Sequence, residues 1–457
     1  EMVIVPYVMP GFDLAKLAFE MHKEFRSNFI SKEDSLKGMI LLKHGVFTFG
    51  NNAKESYSRM IEVVNTAEKN IPRKIDLDLI SSKNLDNGIS AKYKLIPYLR
   101  GLISSEISKF GSFKRCIFEI RNDTKIKEFL ELSNFSELST RGVATPDHVI
   151  RTKARPLILD EMPNVDLSLN KANIKINEWL KNTKKYLERY IKDYQSYFEK
   201  NNSRVGRIKK NLDPLPRLIF IPKFGMIAIG NSKKSACLAA DIGQVWIETL
   251  LSAESIGEFR PVGENDTFDL EYWSLEQAKL GSKKDPENAG KVVIVTGAGG
   301  TIGSEISKVF HKSGAEIVCI DKNIQTARKT AKLCGGNALA LECDLTSREE
   351  IERSFQEIIL QFGGVDILIS NAGIALPGEL HNMDDEIIEK SLNVNLLSHH
   401  YLSQESLKIF KSQDFFNLKS KNLLGGQLLY NISKQALNPG KGFGAYGISK
   451  SALLALM

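Results

Sequence analysis

The run Lys291-Val-Val-Ile-Val-Thr-Gly297 constrains the fold more than any other stretch of the chain. Five of its residues are apolar or β-branched without alternation, as in a strand buried on both faces of a parallel sheet. Glycines follow at 297, 300 and 303, and Ser304 to Lys312 has helical apolar spacing. A strand, a glycine turn and a helix in this order bring free helix N–H groups up to a phosphate. A second strand, Glu316-Ile-Val-Cys-Ile320, ends at Asp321, 24 residues past Gly297. A carboxylate there can accept hydrogen bonds from ribose hydroxyls and would repel a 2′-phosphate, so the pattern predicts a dinucleotide site that prefers NAD.

Tyr446 and Lys450 are four residues apart in a helical pattern, which puts them on one face. A phenol with a pKa near 10 is a poor base at neutral pH, and a nearby ammonium stabilises its anion. Ser433 lies 13 residues before Tyr446, after the strand-like run Gln427-Leu-Leu-Tyr-Asn-Ile432. Its hydroxyl can hold a substrate oxygen while Tyr446 exchanges the proton. The YxxxK spacing is common by chance. Its weight comes from standing in order behind the glycine turn, Asp321 and Ser433.

These motifs, with Cys343-Asp344-Leu-Thr346, Asn371-Ala372-Gly373 and Asn393-Val-Asn395-Leu, make residues 291–457 resemble the short-chain dehydrogenase/reductases. The resemblance implies a Rossmann-like, doubly wound parallel sheet and hydride transfer between a nicotinamide and a carbon bearing a hydroxyl or carbonyl. It assigns Gly297, Gly300, Thr301, Ile302 and Gly303 to the pyrophosphate turn, Asp344 to adenine, and Asn371, Ala372 and Gly373 to the cofactor wall. It makes Ser433, Tyr446 and Lys450 catalytic and gives Asn395 the water of a proton relay. Thr301 departs from the TGxxxGxG form, and Gly300 gives GxxGxxG instead. Family members continue well past their YxxxK helix. The chain also opens on Glu1 and an apolar run, so it is expected to be a fragment truncated at both ends, its last sheet strands missing.

The upstream residues read as α/β with an internal duplication. Residues 1–72 alternate strand and helix, with strands at Ile40-Leu41-Leu42 and Val46 to Phe49 and a helix from Ala53 to about Lys69. Residues 73–95 are polar and read as a linker. Residues 96–256 form a second unit, in which 215–256 echo 37–72 at an offset of 180: Gly225 and Gly230 repeat Gly45 and Gly50. Phe224 stands where the first copy has His44. A long helix over 170–202 carries an apolar stripe from Ile174 to Tyr194 that reads as core. Residues 257–290 read as a polar connector. The +7 charge is spread over 457 residues, which argues against a nucleic-acid surface. No apolar run is long enough to span a bilayer. Five cysteines without CxxC spacing predict reduced thiols and a cytoplasmic protein.

His44 in Lys43-His44-Gly45 is the candidate metal ligand, with no HxH or carboxylate partner nearby in sequence. Pro6-Tyr7-Val-Met-Pro10-Gly11 and the run Lys43 to Gly50 resemble the C-terminal part of a class II aldolase/adducin domain, whose HG histidine is a zinc ligand and maps to His44. Thr145-Pro-Asp-His-Val-Ile-Arg-Thr-Lys153, Pro214-Leu-Pro-Arg217 and the run Phe268 to Lys279, followed by a dehydrogenase, make the chain similar to bifunctional rhamnulose-1-phosphate aldolase/short-chain dehydrogenases. That resemblance implies a homo-oligomeric, zinc-assisted sugar-phosphate lyase fused to an oxidoreductase acting on lactaldehyde or a related aldehyde or polyol. Two other readings stand beside it: a polyol or sugar-phosphate dehydrogenase with a non-catalytic aldolase-like half, and a non-catalytic NAD-binding scaffold.

Overall fold

The computed structural model describes residues 2–28, 36–71, 92–110, 115–164, 170–281, 285–418 and 423–457. The 73–91 stretch of the expected linker lies outside them. Three sheets follow in chain order. The first joins β1 (Met2–Val5), β2 (Gly38–Leu41) and β3 (Gly45–Thr48), with β1 parallel to β2 and a β2–β3 hairpin. Helices Phe12–Asn28 and Ala53–Lys69 flank it.

The second sheet has the order β4-β7-β6-β5, from β4 (Ile117–Arg121), β5 (Leu157–Ile158), β6 (Leu218–Ile221) and β7 (Gly225–Gly230). Side chains alternate between its faces. Leu218, Phe220, Met226 and Ala228 pack with Trp246 and Ile247 of helix Lys233–Ile256. Ile219, Ile221, Ile227 and Ile229 turn the other way, toward helices Ile96–Phe110 and Asn170–Arg204. Trp179, Leu180, Leu187 and Ile191 of the predicted stripe are buried there, whereas Ile174 and Tyr186 are exposed.

The third sheet is fully parallel, in the order β10-β9-β8-β11-β12, from β8 (Val292–Thr296), β9 (Glu316–Asp321), β10 (Leu339–Glu342), β11 (Ile367–Ser370) and β12 (Gln427–Tyr430). Helices cover both faces. Val293, Val295, Ile317 and Cys319 share one core with Ala327 and Ala331. Val292, Ile294, Val318 and Ile320 meet Ile351, Phe355, Leu402 and Ile409 on the opposite face. The order reverses at β8, which places the loops after β8, β9 and β11 at one topological switch point.

Two expected connectors are packed structure instead. Lys92 and Leu95 are buried at the start of a helical run that leads into Ile96–Phe110. Residues 264–271 form a helix whose Phe268 and Glu271 are fully buried. Polar sequence misled there because Glu271 is satisfied internally, by Tyr194 Oη at 2.7 Å, Tyr197 Oη at 3.1 Å and Lys153 Nζ at 3.3 Å. The cores of the second and third sheets also run together through helix Ile96–Phe110. Arg100 on that helix pairs with Asp366 (Nη2–Oδ2 2.6 Å) and donates to Gly290 O at 2.9 Å. Arg115 Nη1 reaches Asp366 at 2.9 Å, and Asp366 also accepts the Val292 N–H at 2.8 Å. Burial alone would push the Asp366 carboxyl up, but the two guanidiniums hold it below the usual carboxylate range.

The candidate dinucleotide cleft

Gly297 ends β8 with φ 61°, in the left-handed region, and a Cβ on it would lie 3.0 Å from Ala372 Cα. Gly300 then caps helix Thr301–Lys312, which starts three residues earlier than its apolar spacing predicts. A Cβ on Gly303 would stand 2.3 Å from Gly297 O, so the turn closes only with glycine there. The first-turn N–H groups of this helix have no helical carbonyl to meet and belong to the cleft edge. Thr301 and Ile302 line that cleft with Gly297, Gly300 and Gly303.

Asp321 sits at the end of β9 and lines both halves of the cleft. Its Oδ2 accepts the Gly299 N–H at 2.9 Å and its Oδ1 the Asn323 N–H at 3.0 Å. Gly299 is a residue that motif spacing missed: its Cβ would come within 2.1 Å of Thr326 Oγ1 and 2.9 Å of Asp321 Oδ2. Asp344 lies further along the same cleft. Lys322 bonds its Oδ2 at 2.6 Å and Thr346 bonds its Oδ1, which together lower its pKa to about 2. Lys322 is thereby drawn toward Asp344.

The opposite wall comes from the loop after β11. Thr296 Oγ1 accepts the N–H groups of Asn371 and Ala372 at 3.0 and 3.1 Å, tying this loop to the end of β8. Asn431 Nδ2 donates to Asn371 Oδ1 at 2.8 Å. Gly373 faces Lys450, whose Nζ would be 3.4 Å from a Cβ at that position. Lys450 Nζ donates to Asn431 O at 3.0 Å, and burial pushes its ammonium below the usual lysine range. Tyr446 is half-buried on the same helix, Gly444–Leu456, with Lys450 Nζ 5.9 Å from its ring centre. Ser433 Oγ accepts the Gln435 N–H at 3.2 Å, which leaves its own hydrogen free to donate. Ser433, Tyr446, Lys450, Asn371, Ala372, Gly373 and the glycine turn border one cleft of about 600 Å³. The cleft continues past Asp321 into a volume of about 720 Å³ beside Asp344.

Asn395 is placed differently from expectation. It is fully buried, and its Oδ1 accepts the Ile374 N–H while its Nδ2 donates to Ile374 O, both at 2.9 Å, and to Ser449 Oγ at 3.0 Å. Its amide is spent on the loop, so the side chain braces the wall from beneath and does not face the cleft.

A dinucleotide fits these residues. The glycines leave room where a Cβ would intrude, a helix N-terminus meets the turn, and a carboxylate closes the end of β9. Zinc does not fit the other candidate. His44 Nε2 donates to Val8 O at 2.7 Å and its ring stacks on Tyr7 at 5.2 Å. Among the described residues no group of three His, Cys, Asp or Glu side chains could hold a metal ion.

Residues 291–457 match the family model described as short chain dehydrogenase. Residues 1–71 match "Class II Aldolase and Adducin N-terminal domain", and 90–280 match "Aldolase class II, second domain". The chain joins a class II aldolase region to a short-chain dehydrogenase domain. It is 28% identical to the Bacillus subtilis (strain 168) protein named "Uncharacterized oxidoreductase YuxG", over 98% of this chain and 62% of that one. It is 32% identical to an NAD-dependent glycerol dehydrogenase of Listeria innocua, over 27% of this chain and 49% of that one. A solved short-chain type dehydrogenase/reductase from Mycobacterium marinum is 23% identical, covering 36% of this chain and 66% of that one, with a TM-score of 0.34. The chain thus spans less than two thirds of the length of these curated relatives. No helix among the described residues is long and apolar enough to cross a membrane, and all five cysteines are free.

Proposed function

We propose that the dehydrogenase domain uses NAD to interconvert a hydroxyl and a carbonyl on a small substrate, an aldehyde such as lactaldehyde or a polyol. The observation that carries this is the shared border of Ser433, Tyr446, Lys450 and the glycine turn around one cleft. Bound NAD would supply the hydride acceptor. Tyr446 then takes the hydroxyl proton, helped by the Lys450 ammonium, which stabilises a phenolate. Ser433 donates its free hydrogen to the substrate oxygen. Asn371, Ala372 and Gly373 form the cofactor wall, and Asp344 faces adenine. Asp321 favours NAD over NADP, since its carboxylate repels a 2′-phosphate and the neighbouring Lys322 is engaged by Asp344. The Listeria relative's name supports both NAD and a polyol substrate.

The aldolase region supports a paired lyase activity on a ketose 1-phosphate of the rhamnulose type, whose aldehyde product would feed the dehydrogenase in a cytoplasmic homo-oligomer. His44 is its zinc candidate among the described residues. The bond from His44 Nε2 to Val8 O favours a second reading, in which the aldolase region of this chain binds substrate or supports the dehydrogenase without cleaving carbon–carbon bonds. NADH formation by the chain with lactaldehyde and a panel of polyols tests the first reading. Turnover of at least one is expected, and no signal with NAD and any of them overturns it. Equal zinc content before and after His44→Ala selects the second reading.

A further inference from the structure

Helix Ser398–Gln413 runs beneath the cofactor wall, and it carries a fully buried histidine that motif reading passed over. His399 Nδ1 lies 2.6 Å from Ser370 Oγ at the end of β11, and its Nε2 lies 3.0 Å from Ala372 O in the following loop. A carbonyl oxygen only accepts, so Nε2 carries the proton and Nδ1 accepts the Ser370 hydroxyl. Burial, with the Lys450 charge beside it, lowers the ring's pKa to about 4 and keeps it neutral. Asn395, four residues earlier, holds the N–H and C=O of Ile374. The turn that holds Asn395, Asn393–Leu397, is π-helical, a wide turn that departs from the regular ladder just before His399. Two side chains from one stretch therefore grip both ends of a three-residue loop, and Gly373 between them abuts Lys450.

We propose that His399 is a positioning residue of the dinucleotide cleft: with Asn395 it clamps the 372–374 loop in the shape that a nicotinamide needs next to Lys450. The inference rests on the NAD reading of the cleft. Ser370 and Ala372 are separated by one residue, so the ring fixes how the loop leaves the strand. Without it the Ala372 carbonyl loses its donor and the peptide on the cleft side can rotate.

The test uses the whole chain with His399→Phe, which keeps a ring and loses both hydrogen bonds, and His399→Gln, which restores an N–H donor. NADH is titrated by fluorescence, and amide exchange of the 372–374 loop is followed by mass spectrometry. The Phe variant is expected to bind NADH at least tenfold more weakly and to exchange the loop at least tenfold faster. The Gln variant is expected to recover most of both. Wild-type exchange and affinity in the Phe variant overturn the clamp, as does an equal loss in both variants that tracks melting temperature alone. Wild type that fails to bind NADH sinks the NAD reading, and loop exchange then still decides the clamp.

Discussion

The dehydrogenase domain and the first hairpin unit both begin with a short apolar strand feeding a helix, yet they place their candidate site residues differently. In the dehydrogenase, every strand is parallel to its neighbours, so the loops after β8, β9 and β11 leave the same sheet edge. Residues 150 positions apart in sequence then share one cleft. In the hairpin unit, β2 and β3 are antiparallel, and among the described residues no group of three His, Cys, Asp or Glu side chains forms around the turn that carries His44. The second copy of that hairpin, β6–β7, sharpens the contrast. It repeats the backbone, with Lys43 and Lys223 at φ 65° and 56° and Gly45 and Gly225 at φ 125° and 140°. Its surroundings differ: β7 is buried along its whole length, whereas Phe47 on β3 is largely exposed. Local sequence sets the turn, and neighbours decide whether the turn builds core, site or surface.

The contrast can be broken most sharply at the glycine turn. Gly303→Val puts a branched side chain against Gly297 O and is expected to weaken NADH binding by about 100-fold or more, about 2.7 kcal/mol. Gly45→Ala strains a φ of 125° in the first hairpin and is expected to leave that binding unchanged. Fluorescence titration compares them, and equal losses would mean that the two turns are not functionally distinct.

Arg100→Ala should come next in free energy. It leaves Asp366 with Arg115 and the Val292 N–H as partners and should cost about 2 kcal/mol in urea unfolding. Hydrogen exchange should rise first around Val292 and Asp366, with little change in β1–β3.

A third difference is in acid sensitivity. The His399 pKa is lowered to about 4, so the unfolded chain binds the extra proton first. Stability is then full above about pH 6.5 and falls as pH drops toward 4, by up to about 3 kcal/mol. Thermal melts from pH 7 to 4.5 should show a shallower decline in His399→Leu than in wild type.

The smallest effects test what the two hairpin copies share. Asn52 and Ser232 cap equivalent helices by accepting the N–H groups of Glu55 and Ser235 at 3.0 and 3.2 Å. Each change to Ala should cost about 1 kcal/mol. A much larger loss at one site would show that the copies differ in local structure as well as in surroundings.

The parallel sheet and the cleft's border were legible because glycine, β-branched runs and spaced polar residues obey local rules. Gly303 and Asp321 are explained by partners close in sequence, Gly297 for the first and Gly299 and Asn323 for the second. The rest depends on which side chains the fold brings together, and no sequence spacing marks those pairs. Gly299 is fixed by Thr326, His399 is defined by Ser370 and Ala372, and Arg100 finds its partner 266 residues away. The helix Glu264–Glu271 lies in a stretch whose polar composition reads as a connector, and only the fold shows the Tyr194, Tyr197 and Lys153 groups that satisfy Glu271.

Tyr446→Phe removes one hydroxyl from the cleft and leaves the glycine turn and Lys450 in place. With a substrate that the wild type turns over, NADH formation should fall about 10³-fold while NADH affinity stays within twofold. Turnover that survives the missing hydroxyl would contradict a tyrosine-driven proton transfer in this cleft.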